Sequence, residues 1–405
     1  MKCGLLGEKL GHSYSPQIHA DLGAYEYSLY EKEPQELECF LKNSEITGLN
    51  VTIPYKKAVI QYLDELSPIA ARLGAVNTIV RRDGRLIGHN TDYFGFRSMV
   101  DRSGLSMSGK KVLVLGSGGA SNTAVAVLEE LGANVLVISR NGENNYQNLN
   151  RHADAALIVN ATPVGMYPHV GVSPLSLDNF HQLEGVLDII YNPANTQLLM
   201  DAQQKGLVTM NGLWMLVAQA KESAEWFTGN TIPNQRIQQI HQKLRLQMEN
   251  IILIGMPGSG KSTVGRMVAR RLGKKFVDAD AAIVEAAGKP IPEIFRQDGE
   301  DAFRALETQI LSELGKRSGL VIATGGGCVT REENYALLHQ NGRIFCLDRE
   351  LNALATEGRP LSQAGKLEQM LQVRGPLYRR FADYHIDNNG SAAAAAGRIM
   401  QILEE

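Results

Sequence analysis

Cysteine, aromatic residues and long apolar runs are all scarce in this 405-residue chain. Its four cysteines, Cys3, Cys39, Cys328 and Cys346, form no C-x-x-C pair and no zinc-like spacing. They read as reduced thiols of a cytoplasmic protein and argue against a disulfide framework. No run approaches the roughly 18–20 apolar residues of a membrane span, and Met1–Lys9 lacks the apolar core of a signal peptide. Surplus charge is also missing. A formal net charge of −2 gives no push toward nucleic acid or an anionic membrane. There is no Gly/Ser- or Pro-rich linker, no short-period repeat, and no sign of an obligate protein partner. What remains is an ordinary globular composition, 44% apolar and 21% charged. At ~150 residues per domain the length suggests about three domains.

What the chain does have is two glycine loops of different construction. Gly116-Ser117-Gly118-Gly119-Ala120-Ser121 follows the apolar run Val112–Leu115. Gly255-Met-Pro-Gly258-Ser259-Gly260-Lys261-Ser262-Thr263 follows Ile251–Ile254. Each precedes a helix-like stretch, so the chain is expected to be α/β with two nucleotide sites. Around the first loop, Val112–Leu115, Asn134–Ser139, Leu157–Asn160 and Gly185–Ile190 read as strands of a parallel sheet buried on both faces. Ala120–Leu131 reads as the intervening helix. Upstream, Gly48–Ile53 is a strand stopped by Pro54. Ala75–Val80 and Arg85–Gly88 form a hairpin across the Asp83-Gly84 turn. Leu213–Phe227 and Asn234–Glu249 are helical, and a new β-α-β unit begins abruptly at Asn250. The expected division is therefore 1–105 with 211–248, 106–210, and 249–405.

The second loop matches the P-loop pattern. Its glycines let backbone N–H groups curl round phosphates, Lys261 supplies a charge, and Ser262 can hold Mg²⁺. Phe276–Asp280 reads as the end of the next strand. Asp278 and Asp280, two apart, would share one strand face, one serving the metal and the other an acceptor hydroxyl. Arg304 and Glu307 share a helix face; a lone pair of this spacing is usually a surface ion pair. Gly325–Gly327, after the strand Leu320–Ala323, lets backbone approach a small acceptor.

In order along the chain, GMPGSGKST, FVDAD (276–280), GE..FR..E (299–307), TGGG (324–327), Arg359-Pro360-Leu361 and Arg374-Gly-Pro-Leu-Tyr378 make residues 249–405 resemble shikimate kinase. The resemblance implies that Asp280, Arg304, Gly326 and Arg374 bind shikimate. It also implies that Arg359 belongs to a lid over ATP. The segment before Arg359, Leu354–Gly358, is short. No arginine stands near Asn388–Gly390, where the family often has a nucleotide contact.

The first loop keeps only two glycines of G-x-G-x-x-G, with Ser121 in the third place. The next strand ends Ser139-Arg140 with no acid to grip a ribose hydroxyl, which suits the 2′-phosphate of NADP(H). A hydride carrier needs a proton donor; Lys56, just past a strand, and Asp92, on a turn, are candidates. His12, His19 and His89 are too scattered for a metal centre. The motifs His12–Pro16, NVTIPYK (50–56), Gly74–Thr78, GHNTD (88–92), GSGGAS (116–121), Asn160–Thr162 and Asn211–Ala220 make residues 1–248 resemble shikimate dehydrogenase. By resemblance, Ser13, Ser15, Thr52, Asn77, Asp92 and Gln219 grip shikimate, Tyr191 edges the cleft, and Lys56 and Asp92 form the catalytic pair. Gly116, Ser117, Gly118, Gly119, Ala120, Ser139, Arg140, Thr162, Ile189 and Gly212 line NADP; Gly258–Thr263 and Arg359 hold ATP. The expectation is one chain that reduces 3-dehydroshikimate and then phosphorylates the product. Two rivals stand beside it: a quinate-preferring dehydrogenase, and a P-loop half that regulates rather than transfers.

Overall fold

The computed structural model describes residues 1–11, 13–354 and 364–404. The chain forms two compact units. One comprises Met1–Val164, Ser173–Tyr191 and Asp201–Lys243; the other comprises Gly165–Val172, Asn192–Met200 and Leu244–Glu405. Both are α/β.

The first unit holds two sheets. The N-terminal sheet has the spatial order Glu26–Glu31, Lys2–Gly7, Gly48–Val51, Thr78–Arg82, Arg85–His89 and Glu65–Leu66. Its first three strands are parallel, and the Thr78–Arg82/Arg85–His89 hairpin is antiparallel with Asp83 at φ +51° in the turn. The second sheet is wholly parallel in the order Val208–Met210, Gly185–Asp188, Leu157–Asn160, Lys111–Leu115 and Asn134–Ile138. Val112–Leu115 are all fully buried, as strands covered by helices on both faces require. Helices Asp92–Ser103 and Leu213–Thr228 pack against each other. Gly95 makes that approach possible, since a Cβ there would lie 2.8 Å from the Met215 carbonyl.

The second unit is built on one parallel sheet, in the order Lys275–Asp278, Leu320–Ala323, Asn250–Ile254, Gly342–Asp348 and Tyr384–Asp387. The central strand Asn250–Ile254 is buried throughout and feeds the P-loop. Two short segments from the middle of the chain belong to this unit. The Ala194 N–H donates to Asn341 Oδ1 at 2.8 Å. The Asn195 N–H donates to the Gln340 carbonyl at 2.8 Å, and Asn195 Nδ2 donates to the His339 carbonyl at 3.1 Å.

Two sequence expectations are corrected here. The strand Lys275–Asp278 ends one residue before Ala279, and helix Ala279–Ala287 follows at once. Asp278 is that helix's N-cap, accepting from the Asp280 and Ala281 amides, so Asp280 stands in the first helical turn rather than on a strand face. An aspartate between a strand and an apolar helical stretch satisfies orphan N–H groups, and capping overrode the strand periodicity. Arg304 and Glu307 are not a surface pair: they are 8% and 1% exposed. The long helix Ile291–Lys316 breaks at Gly299 (φ +84°), and the part after the break carries both side chains inward. No described helix is long and apolar enough to cross a membrane.

Candidate active sites

In the first unit, Lys56 follows the strand Gly48–Val51 in a tight connection. Its carbonyl accepts from the Val76 N–H at 2.7 Å, and the buried neighbour Tyr55 donates its hydroxyl to the Lys32 carbonyl at 2.5 Å. The ammonium is thus carried on a fixed backbone. It meets Asp92 Oδ2 at 2.5 Å, with the two side chains 31% and 18% exposed. Asp92 opens a helix, where the positive end of the helix dipole favours its charge.

Asp92 is placed by a buried hydroxyl and amide network that the sequence reading did not assemble. The Thr91 N–H donates to Asn77 Oδ1 at 2.7 Å, and Asn77 Nδ2 donates to Thr91 Oγ1 at 3.1 Å. Thr78, Thr91 and Ser223 exchange hydroxyl contacts of 2.8–3.1 Å. Asn50 Nδ2 donates to Ser223 at 2.8 Å, and the Tyr27 hydroxyl donates to Asn50 Oδ1 at 2.8 Å. A dry network of satisfied groups fixes side chains more narrowly than apolar packing does. Its one signal in the sequence is Ser223, a polar residue on the buried face of helix Leu213–Thr228.

The remaining candidates lie on the same unit. Thr52 lies in the same connection as Lys56, its N–H donating to the Leu6 carbonyl at 2.9 Å. Gln219 packs against Gly95, one turn from Asp92. The Ser15 N–H donates to Ser13 Oγ at 3.2 Å. Between those serines, Tyr14 meets Tyr191 edge-to-face with centroids 6.2 Å apart. His12 lies outside the described residues. His19 stacks on Tyr27 at 4.0 Å and bonds the Tyr25 hydroxyl at 2.6 Å. His89 stacks on Trp226 at 3.7 Å. Burial pushes these imidazoles down to about 3 and about 4.

The glycine loop 116–121 emerges at the carboxyl end of Lys111–Leu115. Gly116 has φ +105°, and a Cβ there would press on Ala161 O and Thr162 Cγ2, both at 3.1 Å. Ser121 stands where a third glycine is common, and its hydroxyl ties the loop by donating to the Gly116 carbonyl at 2.7 Å. Ser117, Gly118, Gly119 and Ala120 are exposed, with Gly118 capping helix Gly119–Glu130 without a side chain. Open amides at a helix start suit a pyrophosphate. Thr162 is held by Asn160, which donates to the fully buried Asp188 at 3.1 Å. Gly212 passes so close to Ile189 that a Cβ would lie 1.8 Å from its carbonyl. Ser139 and Arg140 follow the neighbouring strand, which ends at Ile138, and Arg140 is exposed.

In the second unit, Gly255, Gly258 and Gly260 have φ of +135°, +84° and +93°, which curls the P-loop. Lys261 is 8% exposed and donates to the Gly255 and Met256 carbonyls at 2.9 and 3.0 Å. Ser262 Oγ donates to Asp278 Oδ2 at 2.7 Å. A hydroxyl paired with a carboxylate at a P-loop is a donor set suited to hydrated Mg²⁺.

Beside this loop, Gly325–Gly327 is surrounded by polar groups. A Cβ at Gly325 would lie 2.7 Å from Asp280 Oδ1 and 2.8 Å from Glu307 Oε1. At Gly327 it would lie 2.2 Å from Arg304 Nη2, and at Gly326 2.7 Å from Pro257 of the P-loop. Arg374 Nη1 donates to the Gly326 carbonyl at 3.1 Å, as does the Tyr378 hydroxyl. Arg304 Nη1 grips Glu307 Oε2 at 2.6 Å. Burial pushes the Glu307 carboxyl up, while the Arg304 charge opposes it. Asp280, Arg304, Gly326 and Arg374 are therefore brought together, and Glu307 joins them. Arg359 lies outside the described residues.

A lysine–carboxylate pair in the same unit as a Rossmann-type glycine loop, followed by a P-loop flanked by Arg304 and Arg374, fits a dehydrogenase fold joined to a phosphotransferase fold. Residues 5–79 match the shikimate dehydrogenase substrate binding domain, and residues 257–404 match shikimate kinase. The shikimate dehydrogenase (NADP(+)) of Clostridium perfringens is 35% identical over 264 residues, spanning 60% of this chain and 97% of its own. Shikimate dehydrogenase 1 of Peptoclostridium difficile is 39% identical with a TM-score of 0.56, covering 61% of this chain and 98% of its own. The Thermus thermophilus shikimate 5-dehydrogenase, solved with NADP(H) and shikimate, is 31% identical with a TM-score of 0.55, over 60% and 99%. The chain belongs to the shikimate dehydrogenase family and carries a shikimate kinase domain at its C-terminal end.

Proposed function

We propose that this chain performs two consecutive reactions: NADPH-dependent reduction of 3-dehydroshikimate, then ATP-dependent phosphorylation of the resulting shikimate. Residues 1–105 with 211–248 form the substrate domain, 106–210 bind NADP(H), and 249–405 carry phosphoryl transfer. In the first reaction, Lys56 gives a proton to the forming C3 alkoxide while Asp92 holds the ammonium. Ser13, Ser15, Thr52, Asn77 and Gln219 orient the ring, and Tyr191 closes its edge. NADPH supplies the hydride. Gly116–Ala120, Thr162, Ile189 and Gly212 seat it, while Ser139 and the exposed Arg140 meet its 2′-phosphate.

In the second reaction, Lys261 and the amides of Gly258–Thr263 position the phosphates. Ser262 and Asp278 hold Mg²⁺, which neutralises phosphate charge. Asp280 aligns the C3 hydroxyl, and Arg304 and Arg374 fork the substrate carboxylate. By resemblance, Arg359 also serves ATP. Support for this reading comes above all from the convergence of Asp280, Arg304 and Arg374 on Gly325–Gly327 beside Pro257.

A coupled assay tests the proposal. The full chain receives 3-dehydroshikimate, NADPH and ATP·Mg²⁺, and shikimate 3-phosphate is measured. The expected result is stoichiometric NADPH and ATP consumption, with Lys261→Ala stopping the second step and sparing the first. Accumulation of shikimate without ATP consumption would refute the kinase assignment.

A further inference from the structure

A phosphate-binding loop needs cations on more than one side, because Lys261 alone leaves most of a triphosphate's charge unmatched. The stretch Asn388–Gly390 supplies none. The structure places Asn388 beside the P-loop nonetheless: it is 1% exposed, and its Nδ2 donates to the Ser259 carbonyl at 2.6 Å. Next to it comes a cation from another strand. Arg349 follows the strand Gly342–Asp348. A Cβ built on Gly260 would lie 3.7 Å from Arg349 Nη1 and 2.8 Å from Asn388 Nδ2. The Asn388 N–H donates to the Asp348 carbonyl at 2.8 Å, and the Glu350 N–H to Asn389 Oδ1 at 2.7 Å. The backbone on both sides of Arg349 is therefore braced by 388–389.

The electrostatics of this corner are unbalanced. Arg349 is half-buried, and its Nε is inaccessible to solvent without a hydrogen-bond partner. Among the described residues no carboxylate pairs with its guanidinium. Two more buried atoms at the loop are also unpartnered, Ser259 Oγ and Asn388 Oδ1. A guanidinium N–H cut off from water and left without an acceptor is costly. Keeping one against the amides of a P-loop is economical only if an anion arrives between them.

We propose that Arg349 is a nucleotide-binding residue, closing on the phosphate chain of the nucleotide from the side of the loop opposite the acceptor pocket. It takes the place of the cation that Asn388–Gly390 lacks, with Asn388 and Asn389 as its positioning residues. The inference rests on the phosphotransfer reading above and deepens it.

The test is calorimetric titration of the full chain with ADP and with ATP in Mg²⁺, for wild type, Arg349→Gln and Arg349→Lys. Steady-state KM values for ATP and shikimate are measured in parallel. Loss of one charge-assisted contact is expected to weaken both nucleotides about 10–100-fold in Arg349→Gln. Arg349→Lys should recover part of the loss, since it restores the charge without the fork. KM for shikimate should stay unchanged. Arg349→Gln binding both nucleotides within about twofold of wild type would overturn the inference. So would an equal rise in both KM values, which marks general distortion of the unit. Failure of the wild-type chain itself to bind ATP would instead overturn the phosphotransfer reading, and this inference with it.

Discussion

Removal of the Lys56 ammonium separates chemistry from stability. The Lys56–Asp92 contact is short, 2.5 Å, but its side chains are 31% and 18% exposed. A pair that water reaches contributes at most about 1 kcal/mol to folding. Lys56→Ala leaves the main chain anchored, because the Val76 N–H still bonds residue 56's carbonyl. The Asp92 carboxylate left behind keeps the first turn of its helix and some contact with water, so it is not an uncompensated buried charge. The barrier is another matter. A positioned general acid contributes 10²–10⁴-fold, or about 3–5 kcal/mol. The assay is shikimate oxidation with NADP⁺ followed by nicotinamide absorbance, beside thermal melting. The expected result is a kcat lower by about 10²–10⁴-fold, KM for shikimate within a few-fold, and melting shifted by less than about 4 °C. Asp92→Asn should lose less turnover, because the ammonium remains while its holder does not. Retention of more than about a tenth of wild-type turnover in Lys56→Ala would refute the acid role. A loss of turnover that tracked the loss of melting temperature would refute the separation.

Gly212→Ala should disturb the cofactor side, since its Cβ would lie 1.8 Å from the Ile189 carbonyl; KM for NADP⁺ should rise more than KM for shikimate. Arg304→Gln strips the charge that opposes burial of the Glu307 carboxylate and should destabilise the unit by about 3–5 kcal/mol at neutral pH. Because the Glu307 carboxyl is raised in the fold, protonation relieves the strain, so the melting deficit should shrink as pH falls; a pH-independent deficit would count against the argument. His19 is held down to about 3 against an ordinary 6.5, so the unfolded chain takes up its proton first. Stability is full above about 6.5 and declines as pH drops toward about 3. His89, held down to about 4, adds to the same slope, and His19→Phe should remove roughly half of the pair's contribution in pH-dependent urea denaturation.

Much of this architecture was legible because short-range patterns carried it. The buried runs Val112–Leu115 and Ile251–Ile254 announced central parallel strands, and the two glycine loops announced what those strands present. Lys56 and Asp92 were each indistinguishable from ordinary surface residues; only the surrounding motifs pointed to a pair, and the contact is tertiary. The Thr78–Thr91–Ser223 network escaped because hydroxyls are common, and their burial depends on three elements meeting. Asp278 misled in the opposite direction: its spacing to Asp280 fits a strand face, but its side chain caps a helix. Arg349 was silent for a third reason. Its role depends on the register Asp348↔Asp387 between neighbouring strands, which no local pattern encodes.

The segment around Ala194–Asn195 also bears on synthesis. Its hydrogen-bond partners, Gln340 and Asn341, lie some 147 residues further along the chain. At about 5–20 residues per second, that stretch takes roughly 7–30 seconds to emerge from the ribosome. For that interval the bonds from Ala194 to Asn341 and from Asn195 to His339 and Gln340 cannot form, although most of the first unit has already been translated. A nascent chain stalled before Gln340 should therefore expose this segment to proteolysis, and one extended past Asn341 should protect it. Cutting the gene at codon 249 would place the two sides of these bonds on different polypeptides.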